Sequence, residues 1–171
     1  MTDALLPPTG PLGPLADPVA PVDGRQSPMA LAIRRGAMRL LASAGLTGVP
    51  ELPLASGRRA DIVALDGRGE VWIVEIKSSL ADFRADRKWP DYRLHCDRLF
   101  FAVAPDFPLA VLPEEVGIIL ADGFGAAIER QAPHHPMPGA TRRALTLRYA
   151  RAAAARMMAL ADPDGFREMM L

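Results

Sequence analysis

The stretch Val71-Trp72-Ile73-Val74-Glu75-Ile76-Lys77-Ser78 decides the fold of this chain. It is apolar, rich in β-branched residues and free of glycine and proline, a composition typical of a buried strand. Side chains alternate along a strand, so Glu75 and Lys77 lie on one face of it together with Val71. A buried charge is costly unless it is paired, hydrogen-bonded or bound to a metal ion. The two charges therefore either neutralise each other or converge on a group that enters from outside.

The composition is that of an ordinary globular protein. The chain has 171 residues, 50% of them hydrophobic and 23% charged, and its formal net charge of zero implies no particular partner. Cys96 is the single cysteine, which excludes an intrachain disulfide framework and fits a reducing compartment. We find no apolar run long enough to span a bilayer and no secretory signal, so we expect a cytoplasmic protein with no membrane partner.

Proline content divides the chain into three parts. Residues 1–28 are rich in proline, which removes backbone donors and breaks regular elements, so we expect a disordered arm there. The arm is either a tail that binds a partner or a solvated extension. Residues 29–163 form the predicted domain, and residues 164–171 form a C-terminal tail.

The pattern of apolar residues, glycines and prolines predicts one α/β domain. The expected elements are a helix over 29–44, an edge strand at most over 49–54, strands over 58–65 and from 71, helical segments over 79–87 and 88–97, strands over 99–104, 116–121 and 126–131, and a helix over 141–160. This order predicts a mixed β-sheet flanked by helices.

The register of the hairpin formed by the strand over 58–65 and the strand from 71 decides whether Asp61 meets Glu75. If position 65 pairs with position 70, the two carboxylates face opposite sides of the sheet. If position 65 pairs with position 71, Asp61 lies opposite Glu75 on the same face, because directly opposed residues share a face.

In the second register the two acids would form a cation site. Adjacent carboxylates repel each other unless a cation lies between them, and Mg²⁺ or Mn²⁺ prefers carboxylate and water oxygens. The carbonyl of Ile76 is a candidate further ligand. Lys77 could then orient or deprotonate a metal-bound water, or stabilise charge on a phosphate oxygen. On this hypothesis the site hydrolyses a phosphodiester, with Asp61 and Glu75 as metal ligands and Lys77 as a catalytic residue.

Asp61 followed by Glu75-Ile76-Lys77, on strands behind an N-terminal helix, resembles the pattern of the PD-(D/E)XK nuclease superfamily, with Ala60 in place of its proline. Further blocks resemble the MmcB family of bacterial DNA-repair-associated proteins: RADI at 59–62, VEIKSS at 74–79, DF at 82–83, DRKWPDY at 86–92 and CDRLFFAV at 96–103. The resemblance covers residues 29 to about 163. It implies a restriction-endonuclease-like core, DNA as the partner, and Mg²⁺-dependent cleavage by an endonuclease or exonuclease in repair.

The resemblance also implies further site residues. The superfamily usually supplies another acid in or just after the first helix, but the helix over 29–44 contains none. Glu51 is the nearest candidate metal ligand, and its alternative is an ordinary exposed acid. Members often place a Lys, Gln or Tyr after the lysine strand. Lys88 and Tyr92 are one turn apart, so they could share a face directed at the phosphate.

Basic and aromatic residues elsewhere have two interpretations each. The last helix carries several arginines with no acid between them, which form either a phosphate-binding face or the solvent side of the helix: Arg142, Arg143, Arg148 and Arg151. Trp89 is expected to pack in the core rather than to stack on a base. His134 and His135, in a proline-rich loop, are expected to be solvated, and Cys96 to be a buried helical residue.

Two alternatives to a nuclease stay open from the sequence. The first is a catalytically inactive nuclease-like module that binds DNA, and the second is an adaptor in a repair complex that uses the arm. A homodimer would suit an enzyme that cuts both strands. The nuclease hypothesis requires the two acids on one face with the ammonium beside them. Acids on opposite faces, or Lys77 buried against an unrelated acid, would contradict it.

Overall fold

The structure, a computed structural model, describes residues 26–165. In chain order its elements are α1 (Pro28–Ser43), β1 (Thr47–Pro53), β2 (Arg59–Leu65), β3 (Val71–Lys77), α2 (Leu80–Ala85), β4 (Arg98–Val103), β5 (Gly117–Ala121), β6 (Ala126–Arg130) and α3 (Gly139–Ala161). Short 3₁₀ helices span Trp89–His95 and Leu109–Val111. Every strand predicted from the sequence is present, with ends that differ by one or two residues.

The six strands form one mixed sheet in the order β1-β2-β3-β4-β5-β6. The first three are antiparallel, β3, β4 and β5 are parallel, and β6 returns antiparallel to β5. β1, which contains two prolines, is an edge strand as predicted. The described chain is therefore the single α/β domain with a helix-flanked mixed sheet that the sequence predicts.

Each face of the sheet has its own apolar core. On one face α1 packs through Ile33, Ala37 and Leu41, which are almost completely buried. On the other face the core includes Tyr92 of the 3₁₀ helix and Tyr149 of α3. Glu75 and Lys77 lie on this second face by strand alternation.

The start of the folded region differs slightly from the prediction. The Ser27 hydroxyl accepts the N–H of Ala30 at 3.1 Å and so caps α1, and Gln26 contacts Glu51. Residues 26–28, assigned to the arm from the sequence, therefore belong to the domain. The rest of the predicted arm (1–25) and most of the predicted tail (166–171) lie outside the described residues.

Helix α1 approaches the β5–β6 turn closely because position 36 is glycine. A Cβ atom at Gly36 would lie 2.3 Å from the carbonyl oxygen of Gly125 and 2.4 Å from that of Asp122. Arg39 strengthens the same contact by donating to the carbonyl of Phe124 at 2.7 Å.

Candidate active site

The β2–β3 ladder brings two acids together. It pairs position 65 with position 71 and position 62 with position 74, which is the second of the two registers considered above. The N–H of Asp61 donates to Glu75 Oε1 at 3.2 Å, and the N–H of Ile76 donates to Asp61 Oδ2 at 2.8 Å. The two acids therefore share one face of the sheet, and the backbone holds both carboxylates in place.

The acid pair carries more negative charge than its surroundings balance. Burial raises the pKa of Asp61 to about 6, and the nearby Glu51 and Asp82 add to this effect against the Ile76 N–H and Lys77. Glu75 is 3% exposed, and burial together with Asp61 holds its pKa well above the usual range. Buried acids with raised pKa values are a common property of functional sites.

Lys77 is paired with an acid that the sequence analysis did not single out. Its Nζ lies 2.6 Å from Asp86 Oδ2 and 5.5 Å from the centre of the Phe101 ring. Burial alone would lower the pKa of Lys77, but the Asp86 hydrogen bond and the charge of Glu75 outweigh it, so the pKa is raised. By the criterion set from the sequence, a Lys77 buried against Asp86 counts against the nuclease hypothesis, and in particular against Lys77 as a base that deprotonates water. It leaves Lys77 as a fixed ammonium.

The segment after β3 is not the helix that would align Lys88 with Tyr92. A 3₁₀ helix has three residues per turn, so residues four apart are offset by about 120°. Lys88 is exposed at the start of this helix, whereas Tyr92 is buried and its hydroxyl donates to the Arg59 carbonyl at 3.1 Å. The prediction that the two share a face is wrong. Tyr92, unlike Lys88, is near enough to the acid pair that, after burial, the charges of Glu75 and Asp61 raise its pKa.

Glu51 lies at an unusual backbone position beside Asp61. It falls between the β1–β2 pairs 50–62 and 52–60, and its φ of 52° is in the left-handed region that favours glycine. Its carboxylate contacts Gln26, forms an ion pair with Arg59 Nε at 2.6 Å, and lies 4.0 Å from Arg34 Nη1. At 11% side-chain exposure it is not the ordinary exposed acid of the alternative interpretation.

The donor atoms at the acid pair suit a hard divalent cation. Within residues 26–165, no group of three or more His, Cys, Asp or Glu side chains is arranged to hold a metal ion. Mg²⁺, however, is commonly bound through one or two carboxylates together with water and substrate phosphates. Asp61 and Glu75 supply two buried carboxyl groups that form no ion pair within the described residues, which is a fit for such a site.

The sequence matches the family described as DNA repair protein MmcB-like over residues 17–164. The chain belongs to this family. A solved structure described as the SPO1766 protein of unknown function from Silicibacter pomeroyi is 41% identical, with a TM-score of 0.79 over 82% of this chain and 96% of that one. A search of curated proteins found no match. The family gives this MmcB-like protein a role in DNA repair.

One of the arginines predicted to contact nucleic acid is instead part of the fold of this MmcB-like protein. Arg142 makes two 2.7 Å hydrogen bonds to Asp97, which is 1% exposed, and a third to the carbonyl of Gly69. Three hydrogen bonds within the protein already occupy Nη1 and Nη2 of Arg142, which counts against this residue as a nucleic-acid contact. Arg143 and Arg151 are exposed and Arg148 is half-buried.

Other predicted positions behave as expected. Trp89 packs edge-on against Phe101 at 5.6 Å, and His134 and His135 are exposed. Cys96 is buried, and burial raises the pKa of its thiol to about 12, but it directly follows the 3₁₀ helix rather than lying inside a helix. Between residues 26 and 165, no helix is both long and apolar enough to cross a membrane.

Asp86 and Asp97 are the important residues that the sequence analysis missed. Asp86 is nine positions from Lys77, and no strand or helix period links the two. Asp97 joins α3 to the start of β3 and to Met137, a contact set that spans more than 60 residues of chain. Their presence within the family-like blocks at 86–92 and 96–103 was the only signal that could have found them.

Proposed function

We propose that this MmcB-like protein hydrolyses DNA phosphodiester bonds with Mg²⁺ or Mn²⁺ held by Asp61 and Glu75. The observation that carries the proposal is the pair itself. Two buried carboxylates lie on adjacent strands with raised pKa values, and neither has an ion-pair partner within 4.0 Å among the described residues. Membership of the MmcB-like family supports a role of this activity in DNA repair. The order of strands and the Glu75-Ile76-Lys77 spacing support a PD-(D/E)XK-type core.

On this proposal each residue around the acid pair has its own role. A bound divalent cation supplies charge stabilisation at phosphate and a lowered water pKa. Asp61 and Glu75 would hold it, with the Ile76 carbonyl as a third oxygen. The ammonium of Lys77 would stabilise negative charge on the phosphate, because a lysine with a raised pKa remains protonated at neutral pH. Tyr92 closes the apolar side of the site.

Two further contacts belong to the proposal. Glu51 would serve as an additional ligand if its carboxylate left Arg59, since it already lies close enough to raise the pKa of Asp61. The α3 arginines that remain free to bind DNA phosphates on this proposal are Arg143, Arg148 and Arg151.

The decisive experiment is a cleavage assay over single-stranded, duplex, flap, mismatched and abasic DNA with Mg²⁺ or Mn²⁺. We expect cleavage of at least one substrate by the wild type, and a loss of roughly a hundredfold or more in Glu75→Gln. Glu129→Gln is the matched control, because Glu129 is exposed on the edge strand β6. Activity that survives in Glu75→Gln, or no cleavage by the wild type on any substrate, overturns the proposal.

A catalytically inactive DNA-binding module is the second candidate, and the Lys77–Asp86 ion pair favours it. In that case calorimetry would show DNA binding without carboxylate-dependent Mn²⁺ binding. An adaptor role for the arm is tested by deleting residues 1–25, which would abolish partner capture and leave any cleavage intact, because Gln26 and Ser27 belong to the domain. A homodimer stays a prediction, and ultracentrifugation tests it.

A further inference from the structure

Asp86 holds the ammonium of Lys77 in an ion pair. Lys77 and Glu75 are two residues apart on the same face of β3, and the charge of Lys77 acts on Glu75 and Asp61. Yet in the described part of the chain Lys77 forms its ion pair with Asp86, at 2.6 Å. The side chain of Lys77 is 5% exposed, so water does not compete strongly for this contact.

The backbone fixes Asp86 in the orientation that accepts Lys77. Its Oδ1 accepts the N–H of Lys88 at 2.8 Å, which leaves Oδ2 directed at the ammonium. Its own N–H donates to the carbonyls of Asp82 and Phe83 at the end of α2. Asp86 therefore sits at a defined corner between α2 and the 3₁₀ helix, rather than on a freely rotating side chain.

Aromatic side chains on either side of Asp86 complete the pocket for Lys77. Phe83 and Trp89 each contact Phe101 edge-on, with ring centres 5.7 and 5.6 Å apart, and Lys77 Nζ lies over the Phe101 ring. The segment that carries Asp86 thus also positions the ring beneath the ammonium.

We propose that Asp86 is a positioning residue that draws Lys77 away from Asp61 and Glu75 and so keeps the acid pair open for a divalent cation. An ammonium resting on the pair would neutralise one of its two charges, and an incoming cation would have to displace it. With Lys77 on Asp86, no ammonium occupies the pair, and the positive charge stays beside it. This inference rests on the proposed cation site.

The test is the affinity for Mn²⁺, measured by calorimetry on the full chain without DNA. We expect Asp86→Asn to bind Mn²⁺ roughly tenfold more weakly, because Lys77 then turns to the remaining carboxylates. Asp91→Asn is the matched control, since Asp91 lies on the neighbouring 3₁₀ helix and pairs with Arg58. We expect its affinity to equal that of the wild type.

A double variant separates positioning from two other roles. If Asp86 acts through Lys77, then Asp86→Asn combined with Lys77→Met should restore Mn²⁺ affinity to at least the wild-type value. If Asp86 were a direct ligand, or only a support for the local fold, the double variant would stay as weak as Asp86→Asn. That result, or unchanged affinity in Asp86→Asn, overturns the inference.

The wild-type measurement keeps this inference distinct from the proposed function. Mn²⁺ binding that Glu75→Gln does not weaken overturns the cation site and the inference together. Mn²⁺ binding that depends on Glu75 but not on Asp86 overturns the inference alone and leaves the cation site intact.

Discussion

The backbone N–H of Asp61 donates to the carboxylate of Glu75 at 3.2 Å, across the ladder that joins β2 to β3. The hydrogen bond holds the second acid in place without neutralising its charge. The pair is thus kept together against its own repulsion by the rest of the sheet, at a cost in stability. Such a trade of stability for function is common at active sites.

Removing one charge from the pair should stabilise the protein. In Glu75→Gln with a chelator present, we expect a melting temperature about 2–4 °C higher at pH 8, since the buried repulsion is relieved. Because the folded-state pKa of Glu75 is raised, the ionisation of this side chain destabilises the folded protein. This destabilisation grows as the pH rises and disappears below the usual pKa of a glutamate. The difference should therefore shrink toward pH 4. Scanning calorimetry at both pH values measures it, and equal or lower stability at pH 8 would contradict the account.

Asp97 should have the opposite pH dependence. Burial would raise its pKa, but the Arg142 hydrogen bonds and the N–H groups of Val71 and Met137 lower it to about 2 from the usual 3.8. The ionised Asp97 therefore contributes on the order of 2 kcal/mol to the free energy of unfolding. This contribution is complete above pH 4 and is lost as the pH falls through 2. We expect Asp97→Asn to lower the free energy of unfolding by about 3 kcal/mol at pH 7, with a smaller difference near pH 2.

Urea unfolding at the two pH values measures this effect. The control is Asp106→Asn, because Asp106 is exposed in the loop after β4. If Asp97→Asn were as stable as the control at pH 7, the ion pair with Arg142 would not be a contact that stabilises the packing of α3 on the sheet.

Three arginines of α3 should bind DNA phosphates without reading sequence. Replacing Arg143, Arg148 and Arg151 with alanine should weaken binding to all DNA sequences and reduce the slope of log affinity against log salt by about 0.9 for each phosphate that the protein no longer neutralises. Fluorescence anisotropy at several salt concentrations measures the slope. Arg35→Ala is the control, on α1 at the opposite face of the sheet. An unchanged slope in the triple variant would exclude α3 from the DNA interface.

Helix α1 should not tolerate a side chain at Gly36. Gly36→Ala places a methyl group within 2.4 Å of two backbone carbonyl oxygens, so α1 or the β5–β6 turn must move. We expect a net loss of about 1–3 kcal/mol, even though alanine favours helix by up to about 1 kcal/mol. Gly67→Ala, with no atom within 4 Å of the added carbon, should be nearly neutral. Equal stability of the two variants in urea would contradict the close approach.

Local pattern was sufficient for the strands but not for the central site. The apolar run 71–77 and the turn after position 65 predict a hairpin, and the structure decides between the two registers considered for it. Ser27 and Gly45 likewise mark the limits of α1, because capping depends on neighbouring residues. These features are encoded within a few positions of each other, so they can be read without knowledge of the packing.

The pairing of charges was decided by tertiary structure alone. Which acid receives Lys77, and which arginine receives Asp97, depends on contacts that join distant parts of the chain. Arg142 looks the same as Arg143 in the sequence, yet one is part of the fold and the other is exposed. The 3₁₀ helix that separates Lys88 from Tyr92 was equally hidden, because its hydrogen-bonding pattern reflects packing against β3 and β4. Short-range periodicity therefore predicted the elements, whereas the strand register brought the two acids together and long-range charge pairing set what each charged group can do.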